Sequence, residues 1–138
     1  MNYKRFLGAA SAALMIIIAI LMLAPGAGAA SKYKTLYKFS GGKDGEFPQA
    51  SLIFDQAGNL YGTTLEGGDQ GLGTVFKLAP SADGNWRESV LYSFCSRTNC
   101  SDGAEPLASL IFDQAGNLYG TTYGFGGAGT VSPETRAS

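Results

Sequence analysis

Two cysteines, Cys95 and Cys100, are separated by four residues, and two Asp-Gly pairs, Asp44-Gly45 and Asp102-Gly103, recur along the chain together with Asp55 and Asp113. These are the residues whose types and spacing point to chemistry. Paired thiols close a disulfide, exchange electrons or supply half of a metal site. The chain has no histidine, and two thiolates without histidine make a poor zinc site. In an exported chain the disulfide is the leading expectation. It would close a six-residue loop. Loop-closure entropy assigns such a loop about 2–3 kcal/mol at most.

Recurring aspartates also suit calcium, which takes roughly six to eight oxygen ligands. No D-x-D-x-D-G run is present, and Asp just before Gly is turn chemistry. The aspartates are therefore expected to build turns: Asp55, Gly58 and Asn59 in one, Asp113, Gly116 and Asn117 in the other. Lack of histidine removes the commonest general base and every His-dependent triad. No serine lies in a G-x-S-x-G elbow, no phosphate loop is present, and the glycines do not follow dinucleotide spacing. Glu46, Glu66 and Glu105 fall in expected loops, and a glycosidase needs two carboxylates at a set separation. Tyr37, Phe39, Tyr61, Trp86, Tyr92, Phe94 and Tyr119 are candidates for a carbohydrate surface, but their alternation fits core packing better. No catalytic, cofactor-binding or metal residue is expected, and no cofactor.

What positions these residues is a repeat. Ala50–Thr64 reads ASLIFDQAGNLYGTT, and Ala108–Thr122 repeats all fifteen residues at an offset of 58. Upstream, Thr35-Leu36-Tyr37-Lys38-Phe39 matches Val90-Leu91-Tyr92-Ser93-Phe94 at an offset of 55, so the second copy carries a three-residue insertion. Downstream, Gly73-Thr74-Val75 matches Gly129-Thr130-Val131. Within a copy, Leu52-Ile53-Phe54 reads as a short buried strand. Asp55–Asn59 is a turn and Leu60–Thr64 the returning strand. Glu66–Gly73 holds four glycines and forms a second turn. Thr74–Leu78 is the third strand, Ser81–Asn85 a turn with an Asp-Gly hairpin signal, and Trp86–Phe94 the fourth strand. Strict alternation places Trp86, Val90, Tyr92 and Phe94 on one face of it, with Arg87, Ser89 and Ser93 on the other. No stretch after the leader shows helical periodicity. Four antiparallel strands in a unit of this length describe a β-propeller blade, with a β-solenoid or an open meander as the structural alternative. Tyr33–Phe39 reads as the fourth strand of a further blade.

The pattern LYKFSGGKDGEFPQASLIFDQAGNLYGTT, followed by GG and GLGTVFKL, resembles the GloVer tandem repeat of exported bacterial proteins with varied surface anchors. LYSFCSRTNCSDGAEPLASLIFDQAGNLYGTT resembles its cysteine-containing variant. The resemblance covers nearly all of Tyr33–Val131. It implies extracytoplasmic placement and a propeller-like all-β fold, and no reaction. Phe-Lys-Leu is missing after Val131, and Ser132–Ser138 carries no strand pattern.

Lys4-Arg5, an uncharged run Phe6–Leu23, a breaker Ala24-Pro25-Gly26 and small residues through Ala30 form a secretory leader. The expected organisation is a signal peptide over 1–30, a first repeat over 31–89, a second, truncated repeat over 90–131, and an unstructured tail over 132–138. Outside the leader, eight basic and eleven acidic residues leave a charge of −3. That gives no footprint for nucleic acid and no polybasic membrane segment. The membrane is met only through the leader, if that segment is uncleaved. The expected task is binding or structural, toward an unidentified surface or extracellular ligand. A non-functional fragment of a longer repeat protein is the alternative, and a propeller-type enzyme with an axial metal the third. Open sheet edges are expected to drive self-association.

Overall fold

A computed structural model of the chain describes residues 32–124 and 135–136. The leader and Gly129-Thr130-Val131 lie outside the described residues. The sheets and their cores all lie within Thr35–Ser138.

The architecture is all-β. Its elements are β1 (Ile53–Phe54), β2 (Leu60–Thr64), β3 (Thr74–Pro80), β4 (Trp86–Ser93), β5 (Ala104–Pro106), β6 (Ile111–Phe112), β7 (Asn117–Tyr119), β8 (Thr122–Gly124) and β9 (Thr135–Arg136). One 3₁₀ turn, Thr98–Cys100, interrupts them. Strands β1 to β4 pair antiparallel in chain order as a four-stranded sheet, the first repeat, whose last strand runs past the expected boundary at residue 89. Local chemistry makes its hairpins. Between β3 and β4 the Ser81 N–H donates to the Asn85 carbonyl at 2.8 Å, and the Asn85 N–H donates to Asp83 Oδ1 at 3.0 Å. Gly84 there has φ +79°, the left-handed conformation such a turn requires.

In the second repeat β6, β7 and β9 form one small sheet, and β5 pairs with β8 in another. The β5–β8 ladder repeats the bridge between Glu46 and Glu66 of the first copy. Thr135–Arg136, within a tail that carries no strand pattern, pairs with β7 through Asn117↔Arg136 and Leu118↔Thr135. A ladder is made by backbone N–H and C=O groups, so it does not need a side-chain pattern.

Two features correct the strand expectations. Alternation along β4 is broken by a bulge: Val75 pairs with Tyr92 but Phe76 pairs with Val90, leaving Leu91 as the extra residue. Partners across a ladder share a face, and Val75 and Phe76 point to opposite faces. Trp86 and Val90 therefore lie on one side of the sheet and Tyr92 on the other, not together as strict alternation requires. Tyr33–Phe39 also forms no strand. Its counterpart Val90–Phe94 has β3 beside it, whereas no described strand flanks Tyr33–Phe39. Leu36, Tyr37 and Phe39 pack their side chains instead of pairing their backbones.

The sheet has two apolar faces, each with its own core, and the bulge lets β4 serve both. On one, Leu60, Phe76 and Leu78 are buried under Leu36, Tyr37, Phe39 and Trp86. On the other, Tyr61, Val75 and Phe94 close against Leu110 and Leu118 of the second repeat, with Ile53, Leu91, Tyr92 and Phe112 at the margin. The repeats thus stack face to face. Packing inside each repeat, not across the seam, needs glycine in the strand after the hairpin: a Cβ on Gly62 would stand 2.6 Å from Leu52 Cδ2 and 2.7 Å from Phe76 Cζ. At the matching position a Cβ on Gly120 would stand 2.7 Å from Leu110 Cδ2.

Candidate functional site

Sequence singled out the aspartates, and the structure places them at the hairpins. The Asp55 carboxylate accepts the Asn59 N–H at 2.9 Å, the Asn59 side-chain amide at 2.7 Å and the Tyr61 hydroxyl at 3.0 Å. Asp113 accepts the same three groups from Asn117 and Tyr119 at 2.8, 2.7 and 3.0 Å. Gly58 and Gly116 both sit at φ +84°. Each hairpin thus joins Asp, Gly, Asn and Tyr in one closed network. Burial and the bond to Asp55 push the Tyr61 hydroxyl up to about 12.

The Asp-Gly aspartates act one level out, tying each Asp-Gly turn to the segment before it. Asp44 accepts the Ser40 hydroxyl at 2.6 Å, the Ser40 N–H at 2.8 Å and the Tyr37 hydroxyl at 3.0 Å. Asp102 accepts the Tyr92 hydroxyl at 2.6 Å, and the Ser96 N–H and hydroxyl at 2.9 Å each. The Ser40 hydroxyl leads in holding Asp44 down at about 2. At Asp102, burial pushes upward, but the bonds from Tyr92 and Ser96 outweigh it and hold the group at about 2. Hydroxyl and backbone N–H donors of the fold itself thus occupy these carboxylates. No group of three or more metal-ligating side chains is found among the described residues. Cys95 and Cys100 form a disulfide across the inserted loop.

A cleft of about 640 Å³ opens beside β4, lined by Lys43, Asp44, Asp69, Glu88, Val90 and the stretch Leu91–Ser93 with Ser96. Lys43 and Asp69 pair at 3.4 Å in exposed positions. Glu88 is the unusual member. Burial first, and then the negative charge of Asp44, raise its carboxyl to about 7. Its Oε1 is shut off from solvent and has no hydrogen-bond partner among the described residues. Such a carboxyl changes protonation near neutrality, and when protonated it offers a hydrogen bond to a polar ligand.

The family model described as the Gloeobacter/Verrucomicrobia repeat matches residues 22–133. The chain belongs to this repeat family. No curated protein and no solved structure matches the chain. In this Gloeobacter/Verrucomicrobia repeat protein the residues shared between copies make the hairpins, while Glu88 lies outside the fifteen-residue identity. Sequence reasoning passed over Glu88. The signal was present: it falls between Trp86 and Val90 in the apolar alternation of β4, where a carboxylate is out of place. The loop carboxylates Glu46 and Glu66, by contrast, are brought together only through their backbones.

Proposed function

We propose that the chain is an exported repeat module that binds or displays a polar extracellular ligand and performs no chemistry of its own. The observation that carries this is the fate of the recurring polar side chains. Asp44, Asp55, Asp102 and Asp113 are each taken up by three or more hydrogen bonds inside the fold. What recurs in each copy therefore serves folding, and the β4 cleft is left as the place for a ligand. The leader layout and the Cys95–Cys100 disulfide support an oxidising compartment. A four-stranded sheet stacked face to face on the next repeat supports propeller-type blades.

Expression with the native N-terminus in a bacterial host, followed by fractionation and N-terminal sequencing, tests export. The expected product starts at Ala30 or Ser31 outside the cytoplasm, with both thiols unreactive. An unprocessed cytoplasmic product with free thiols would refute it.

Glu88 favours a second reading, since carboxyls poised near neutrality in clefts are common in active sites. A propeller-type enzyme of that kind would hold a metal at its axis. Thermal melts with and without calcium separate the two. A rise in Tm with calcium favours the enzyme; an unchanged Tm favours the binding module.

A further inference from the structure

The seam between the repeats is built from two unlike halves. The first repeat contributes Ile53, Tyr61 and Thr63, and the second contributes Leu110 and Phe112. Two polar contacts set the register. The Ser51 N–H donates to Ser109 Oγ at 3.2 Å, and the Thr63 hydroxyl donates to the Ala108 carbonyl at 3.5 Å. Because Ala50–Thr64 and Ala108–Thr122 are identical, each repeat carries the Ile53, Tyr61 and Thr63 positions of one half and the Leu110 and Phe112 positions of the other; Val75 and Phe94, which also line the seam, lie outside the identity. One half of each is used in the seam and the other is open. Leu110 is 3% exposed, while its twin Leu52 is 43% exposed. Phe112 lies in the seam, while its twin Phe54 is 66% exposed. On the other side, Tyr61 is fully buried and Ile53 packs in the seam, while Ile111, the twin of Ile53, is 65% exposed. Ile111 lies in a shallow groove of about 200 Å³ lined with Ala108, Ser109, Tyr119, Gly120 and Thr121.

We infer that a second copy of this chain docks head to tail, its Leu52–Phe54 face entering the Ile111–Tyr119 groove of the first. The seam inside the chain is the template. Phe54 takes the place of Phe112 against the Tyr119 ring. The Thr121 hydroxyl donates to the Ala50 carbonyl, and the Ser109 N–H donates to Ser51 Oγ. The contact is between sheet faces. Leu36, Tyr37 and Phe39 already cover the Leu60–Leu78 part of the first repeat's face, so the incoming groove needs only the β1 end. The two surfaces differ, so the contact is heterologous: it propagates until a ring closes or a filament grows.

The test uses Phe54→Arg and Ile111→Arg, each with circular dichroism to confirm the sheet, and sedimentation velocity over a concentration series. Both side chains are mostly in solvent, so each variant folds. The parent chain assembles beyond the monomer, and each variant alone is a monomer. An equimolar mixture of the two gives a dimer and nothing larger, because one intact groove meets one intact face. A parent chain that stays monomeric throughout overturns the inference. So does a mixture that stays monomeric, or a variant that assembles like the parent. Independently of the arginines, a double variant Ala50→Cys with Thr121→Cys forms interchain disulfides on mild oxidation. Absence of that crosslink also overturns it.

Discussion

Tyr61 and Phe112 meet edge to face across the boundary between the two repeats, with ring centroids 5.1 Å apart and planes at 85°. Phe112 has the same sequence neighbours as Phe54, yet only Phe112 lies against an aromatic partner. Phe112→Ala is expected to lower stability by about 2 kcal/mol, less than the ~3–5 of a fully buried Phe because the ring is half-buried. Phe54→Ala is expected to cost less than about 0.5 kcal/mol in the dilute chain. Urea denaturation of both at low concentration checks the pair. Equal losses would show that the seam is not what distinguishes them.

The second expectation concerns acid. Asp102 titrates at about 2 in the folded chain, against 3.8 for a free aspartate. Its folded value is depressed, so its contribution is complete above about pH 4 and is lost as the pH falls toward 2. Asp102→Asn removes the carboxylate that gathers Tyr92 and Ser96. It is expected to lower Tm at pH 7 and to flatten the loss of stability between pH 4 and 2. Thermal melts across that window measure both. A variant with the same acid limb as the parent would refute this role for Asp102.

Glu88 runs the opposite way. Its folded value near 7 lies above the ordinary 4.5, so folding favours the protonated form. Stability is highest below about pH 4.5 and falls as the pH rises toward 7, where the buried carboxyl must ionise. Glu88→Gln stays neutral. It is expected to melt higher than the parent at pH 8 and close to it at pH 4. The difference is modest, because the side chain is partly in water. A Tm gap of the same size at both pH values would remove the ionisation argument.

Reduction of Cys95–Cys100 is the fourth test. A six-residue loop gives about 2 kcal/mol by loop-closure entropy. The Cys95→Ala, Cys100→Ala double variant is expected to lose about that much in urea while keeping its strand-type dichroism. The four-stranded sheet is completed before Cys95, so it does not depend on the bridge. Loss of the sheet in the variant would contradict this.

Much of the molecule was legible locally. The Asp55 and Asp113 hairpins could be read from sequence because their contacts span four to six residues, and Gly58 and Gly116 supply the φ that the turn demands. β2 spans Leu60–Thr64, the returning strand expected between the two turns. β3 and β4 differ from their expected spans only at their ends. The cysteine pair was readable because four intervening residues keep the thiols within reach of each other.

The tertiary structure decided which face each side chain serves. A single bulge at Leu91 sends Tyr92 to the opposite side from Trp86 and Val90. Alternation alone cannot predict it, because the extra residue is defined only by the partner strand. Identical fifteen-residue copies acquire unlike burial: Leu110 is sealed in the seam and Leu52 is left partly open to solvent. Glu88 likewise acquires its raised pKa from burial and from Asp44, which is distant in sequence. Sequence by itself determined the repeat, the turns and the strands, since these rest on contacts between near neighbours. Only the folded chain decided burial, charge state and open surface, since these depend on which residues meet through space.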